Sequence, residues 1–90
     1  MDAAAPAQIV DGNAIAGMLW DLFGADVTAL VGTCGGCGSL AAFAEAVVEL
    51  DRHAAIVRCR TCTRTLFTVL QSPDGTSMRV GLLHAVGSSG

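Results

Sequence analysis

The chain contains no lysine and no tyrosine, has two prolines in 90 residues, and only 4% of it is aromatic. Without lysine, five arginines are the only permanent cations against eight carboxylates, and the formal net charge is −3. That balance excludes a polybasic tail for nucleic acid or anionic membrane. Charged residues make up 14% against 52% hydrophobic, which excludes a charged disordered segment. No uninterrupted apolar run approaches the length of a membrane span, about 18 residues or more. Residues 1–15 lack the basic and apolar regions of a signal peptide, so the expected compartment is the reducing cytoplasm, where lasting disulfides are rare.

What remains is a small folded chain with a particular need. At 9.1 kDa, folding buries roughly 60% of the unfolded surface or slightly more, which is marginal for one hydrophobic core. A cross-link is therefore expected, and four cysteines are available: Cys34-Gly-Gly-Cys37-Gly and Cys59-Arg-Thr-Cys62-Thr. A two-residue gap lets both sulfurs of one tight turn reach a single ion while backbone N–H groups of the turn donate to the thiolates. Two such turns complete a tetrahedral shell of sulfurs at about 2.3 Å from Zn2+. The reading is one structural zinc held by Cys34, Cys37, Cys59 and Cys62. Iron takes the same four-sulfur geometry and is the less favoured ion, since no aromatic-rich shell surrounds the cysteines.

Other chemistries fit less well. A redox dithiol sits at a helix N-terminus in a βαβ setting and needs no second pair. Catalytic zinc keeps a position open for water, whereas four thiolates close the shell. His53 and His84 form no ligand spacing with the cysteines, no serine, histidine and acid arrangement stands out, and no phosphate-cradling loop or small-molecule substrate site is recognisable. The chain reads as a non-enzyme.

The rest of the sequence places these turns. Residues 1–10 read as a flexible tail, residues 11–86 as one domain, and residues 87–90 as a loose end. A helix is expected over residues 11–24, capped by Asp11 and closed by Gly24, with Ile15, Met18, Leu19, Leu22 and Phe23 on one face. Trp20 lies away from that face and Gly17 weakens the helix by about 1 kcal/mol, so the two are candidates for a partner contact. Strands are expected at Asp26–Thr33, from about Glu45 to Leu50 after a turn through residues 38–42, at Ala55–Arg58, at Arg64–Gln71, and at Ser77–Ala85 after the Ser72-Pro73-Asp74-Gly75 turn. The expected fold is small α+β: an N-terminal helix packed on an antiparallel β zinc ribbon with two C-x-x-C knuckles.

Charge is divided between the halves. Residues 1–51 hold seven carboxylates and no arginine, whereas residues 52–90 hold all five arginines and only Asp74. Arg58, Arg60 and Arg64 bracket the second knuckle, where they can offset the net −2 of a zinc tetrathiolate, pair with Glu45 or Glu49, or meet a partner. Loading the metal takes the formal charge from −3 to −5, because four thiols lose protons and one dication is gained. That disfavours nucleic acid.

With the knuckles in place, the chain resembles the DUF6510 family of short actinobacterial zinc-ribbon proteins of unknown function. The matching features are Asp11-Gly12-Asn13-Ala14, Leu22-Phe23-Gly24 followed by Asp26 and Thr28, Cys34-x-x-Cys37-Gly38, Arg58-Cys59-x-x-Cys62, and the strand containing Arg79, over about residues 10–86. Thr63 stands where such knuckles often carry glycine. The resemblance implies a fold and a metal but no activity. The expected role is a zinc-stabilised module that binds a protein partner or self-associates; a nucleic-acid module using Arg58, Arg60 and Arg64, or a zinc or thiol-redox sensor, are the alternatives.

Overall fold

The computed structural model describes residues 8–87. In chain order the elements are β1 (Gln8–Asp11), a 3-10 turn (Gly12–Ile15), α1 (Ala16–Phe23), β2 (Val31–Cys34), β3 (Leu40–Ala42), a second 3-10 turn (Phe43–Glu45), β4 (Val47–Leu50), β5 (Ala54–Arg58), β6 (Thr65–Ser72), β7 (Gly75–Val80) and β8 (Leu83–Gly87). They form two antiparallel sheets, a five-stranded one in the order β1-β4-β5-β6-β7 and a three-stranded one in the order β3-β2-β8. The expected single helix on antiparallel β-structure is present.

The register of the larger sheet explains its core. Val10, Val48, Val57, Phe67 and Val80 lie opposite one another across all five strands, and Leu50, Ala55, Val69 and Met78 form the next row on the same face. Because side chains alternate along a strand, these rows make one apolar face, and Val48, Ala55, Val57, Phe67 and Val69 are fully buried at its centre. Ile15 and Leu19 cover it from the helix segment, and Phe43 meets Phe67 edge-on with ring centroids 5.5 Å apart. Each buried valine, leucine, isoleucine or phenylalanine among them contributes about 1.5–3 kcal/mol.

Several elements differ from the sequence expectation, each for a local reason. Gln8–Asp11 is a strand and not part of a tail, because Val10 supplies the edge of the apolar row opposite Val48. The expected tail at residues 1–7 and the last three residues lie outside the described region, and Gly87 closes β8. The helix begins with a 3-10 turn capped by the Asp11 carboxylate, which accepts from the Ala14 N–H at 3.2 Å, and it ends as expected at Gly24 in the left-handed conformation.

The strand expected at Asp26–Thr33 starts only at Val31. Asp26 accepts from the Thr28 hydroxyl at 2.7 Å and from the Thr28 N–H at 3.0 Å. These bonds hold the Asp26 carboxyl below the usual range and fold residues 26–30 into a turn. Residues 40–42, expected to be a turn, are strand β3, paired with β2; the β4 strand to Leu50 does form. At the hairpin that follows, Asp51 accepts from the His53 and Ala54 N–H groups, both at 2.8 Å. Finally, the strand expected at Ser77–Ala85 divides at Gly81 into β7 and β8, which belong to different sheets. Gly81 presses against β6 so closely that a Cβ would stand 2.7 Å from the Thr65 carbonyl oxygen.

Candidate metal centre

The topology delivers the cysteines as the tips of two hairpins, one from each sheet. Cys34 ends β2 and Cys37 lies in the turn to β3, while Cys59 and Cys62 form the turn between β5 and β6. The two turns are built alike. Cys34 N–H donates to the Ser39 carbonyl and Cys59 N–H to the Arg64 carbonyl, both at 2.9 Å. Gly38 N–H returns to the Cys34 carbonyl at 2.8 Å and Thr63 N–H to the Cys59 carbonyl at 2.9 Å. Inside each turn a backbone N–H donates to the first sulfur, Gly36 to Cys34 at 3.3 Å and Thr61 to Cys59 at 3.4 Å.

All four Sγ atoms lie within 4.8 Å of one another, and the Cys34–Cys62 and Cys37–Cys59 separations are both 3.7 Å. These are no disulfides, whose sulfurs stand about 2.05 Å apart. A regular tetrahedron of Zn–S bonds of about 2.3 Å has edges of about 3.8 Å, so the cluster has the size of a zinc tetrathiolate. Cys34 and Cys59 are buried, Cys62 is half-buried and Cys37 is exposed, so the site is closed on its inner side and meets solvent at Cys37.

Cys59 and Cys62 are shifted in opposite directions. Burial raises the Cys59 thiol, yet the Ser39 hydroxyl, the Cys62 and Thr61 N–H groups and Cys37 together bring it down to about 6. Cys62 goes the other way: the Arg64 N–H lowers it, but desolvation and the Cys34, Cys37 and Cys59 sulfurs push it up to about 11. Opposed shifts within one cluster are what crowded negative charge produces, and a dication removes the conflict by taking all four thiolates. The donor set is that of a structural tetrahedral Zn2+ site, non-catalytic because every position is filled by the chain.

The remaining expected residues are not brought together. His53 and His84 are exposed and lie outside the sulfur cluster. Arg58 reaches Glu49 at 2.5 Å and also donates to the Thr63 carbonyl, and Arg60 pairs with Glu45, so the acidic first half neutralises two of the three knuckle arginines. Arg64 lies over the first knuckle, its guanidinium 3.4 Å from where a Gly36 Cβ would stand. Trp20 and Gly17 sit on the exposed side of α1. Phe23, expected on the buried face, is exposed instead; it is the last residue of α1, where the chain turns away at Gly24.

Sequence reasoning missed two contributors. Ser39 places its hydroxyl 3.2 Å from both Cys37 Sγ and Cys59 Sγ; its only signal was a hydroxyl two residues beyond a cysteine. Leu82 binds through its backbone, donating to the Thr65 carbonyl at 3.0 Å and accepting from the Gly35 N–H at 2.7 Å, which straps one hairpin to the other. Backbone bonds of that kind leave no trace in residue type.

Thr63 carries a strain that Gly38, its counterpart, does not. Both have positive φ, 65° at Thr63 and 80° at Gly38. A residue with a Cβ held in that region costs about 1–2 kcal/mol. Thr63→Gly is therefore expected to raise the stability of the metal-loaded chain by on the order of 1 kcal/mol, despite loss of the Thr63 hydroxyl bond to the Cys62 carbonyl. Thr63→Val, which keeps the branch and loses the hydroxyl, should lower it. Denaturant midpoints of the two variants, measured with zinc bound, check the pair.

Among known proteins, the family described as DUF6510, a family of unknown function, matches residues 4–88. No curated protein and no solved structure matches the chain.

Proposed function

Since the chain belongs to the DUF6510 family, whose description assigns no activity, we propose from site and surface alone that it is a zinc-ribbon interaction module of the cytoplasm, non-enzymatic, that binds a protein partner or a second copy of itself through the outward side of α1. The metal centre shapes the domain, and the helix makes the contact. The observation that carries this reading is the pairing of Trp20 with Gly17. Trp20 is 56% exposed, and a Cβ at Gly17 would meet nothing within 4 Å. Nothing among the described residues therefore requires glycine at a position where it weakens the helix. Bare backbone at Gly17, one turn from an exposed tryptophan, gives a partner close access to the helix, and exposed Phe23 adds apolar surface to it.

The arginines favour this reading over a nucleic-acid module. A phosphate-binding role needs Arg58, Arg60 and Arg64 free together, and two of them are engaged by Glu49 and Glu45.

Two substitutions test the reading, one of them with opposed effects on stability and on association. Gly17→Ala should stabilise the isolated domain by about 1 kcal/mol, since it removes a helix-weakening residue without a clash. The same change should weaken association, as should Trp20→Ala. Sedimentation of the zinc-loaded protein, and capture of host proteins by the wild type and both variants, measure this. If both variants keep the wild-type assembly state and captured set, the helix is not the contact surface.

A further inference from the structure

We propose that Ser39 is a positioning residue of the metal centre: its hydroxyl donates to the Cys37 and Cys59 thiolates together, holds that edge of the sulfur tetrahedron in place, and protects the exposed Cys37 from metal loss and chemical attack.

The two knuckles share the backbone hydrogen bonds that close their turns. Each first cysteine accepts from the N–H two residues on, Gly36 and Thr61 respectively. The residue five positions after the first cysteine also has one backbone task in both, since its carbonyl accepts the cysteine N–H at 2.9 Å. Only the side chain there differs: Ser39 in the first knuckle, Arg64 in the second. The backbone bond fixes Ser39, and its Oγ then falls 3.2 Å from a sulfur of its own hairpin and 3.2 Å from a sulfur of the opposite one.

With the metal bound, the direction of these bonds is settled by chemistry. Thiolates carry no proton, so in both of these bonds the hydroxyl is the donor, and its single proton is shared between two sulfurs. A dipole aimed at both draws electron density from them and lowers their nucleophilicity. The effect matters most at Cys37, the one exposed ligand, where an electrophile or chelator first arrives. The hydroxyl also ties one hairpin to the other before metal enters, because Cys37 and Cys59 belong to different hairpins.

Outer-shell hydrogen bonds to metal ligands typically affect affinity by about 10-fold or more. Zinc-loaded wild type, Ser39→Ala and Ser39→Thr should be compared for zinc transfer to excess 4-(2-pyridylazo)resorcinol, and for alkylation by N-ethylmaleimide with the modified cysteine located by peptide mass spectrometry. Ser39→Ala is expected to release zinc about 10-fold faster and to be alkylated faster at Cys37, with no matching increase at Cys62. Ser39→Thr, which keeps the hydroxyl, is expected to follow the wild type in both. A failure of Ser39→Ala to load zinc while Ser39→Thr loads also supports the role. Wild-type rates in Ser39→Ala, failure of both variants to load, Ser39→Thr behaving like Ser39→Ala, or equal acceleration at Cys37 and Cys62 would each overturn it.

Discussion

Removing the metal, by exhaustive chelation or by Cys59→Ser, is expected to abolish the cooperative unfolding transition seen with zinc bound. A domain of this size has a net stability of about 5–13 kcal/mol, and structural zinc sites contribute about 10–16 kcal/mol at pH 7. The two figures overlap, so little is left without the ion. Cys34 and Cys59 are themselves buried members of the hydrophobic core, and losing the metal leaves crowded thiols where the two sheets meet. Cys59→Ser also puts a hydroxyl of different reach in a site sized for four sulfurs.

The loss should be graded along the chain. The three-stranded sheet is joined to the rest by the metal, the Leu82 strap and the Phe43–Phe67 contact, whereas β4, β5 and β6 share the rows through Val48, Val57 and Phe67. Hydrogen exchange after chelation should expose β2, β3 and β8 first and the centre of the larger sheet last. Metal analysis of the purified chain should find one zinc per molecule and no ferric thiolate absorption. Because thiol protons compete with the ion, acidification should release zinc and raising the pH should restore it. A metal-free chain that melts within a few degrees of the loaded one would show that the core suffices alone.

The parts of this molecule legible in the sequence were those set by local chemistry. The ligands followed from two C-x-x-C spacings, the helix limits from Asp11 and Gly24, and β5 and β6 from runs of β-branched and apolar residues. What was misread depended largely on groups distant in the chain. Val27 and Thr28 favour a strand by composition, but the Asp26 side chain offers the backbone a turn. Residues 77–85 read as one strand returning from the Ser72–Gly75 turn, yet Gly81 is pressed against the Thr65 carbonyl and the chain changes sheets there. Ile9 and Val10 looked like part of a tail because their partners, Glu49 and Val48, lie far along the sequence. At the metal centre the same division holds: cysteines announce themselves, whereas the Ser39 hydroxyl and the Leu82 backbone acquire meaning only when two hairpins face each other.

Gly12 gives the sharpest test of that long-range packing, because the same substitution five residues further on has the opposite predicted sign. A Cβ built on Gly12 would overlap the Phe43 carbonyl oxygen and lie 2.6 Å from its carbon. Both are backbone atoms, so no side-chain rotation can relieve the overlap. The contact joins the turn that starts the helix to the 3-10 turn at Phe43–Glu45, and Phe43 in turn packs on Phe67 in the core. Moving Phe43 would also disturb Gly32, which lies directly under its ring. Gly12→Ala is therefore expected to destabilise by about 3 kcal/mol or more, at or above the top of the usual range for core overpacking, because the obstacle is main chain. Gly17→Ala, in open space, should stabilise by about 1 kcal/mol. Equilibrium unfolding of both variants with zinc bound decides the matter, and a Gly12→Ala chain as stable as wild type would mean that the two turns do not meet as described.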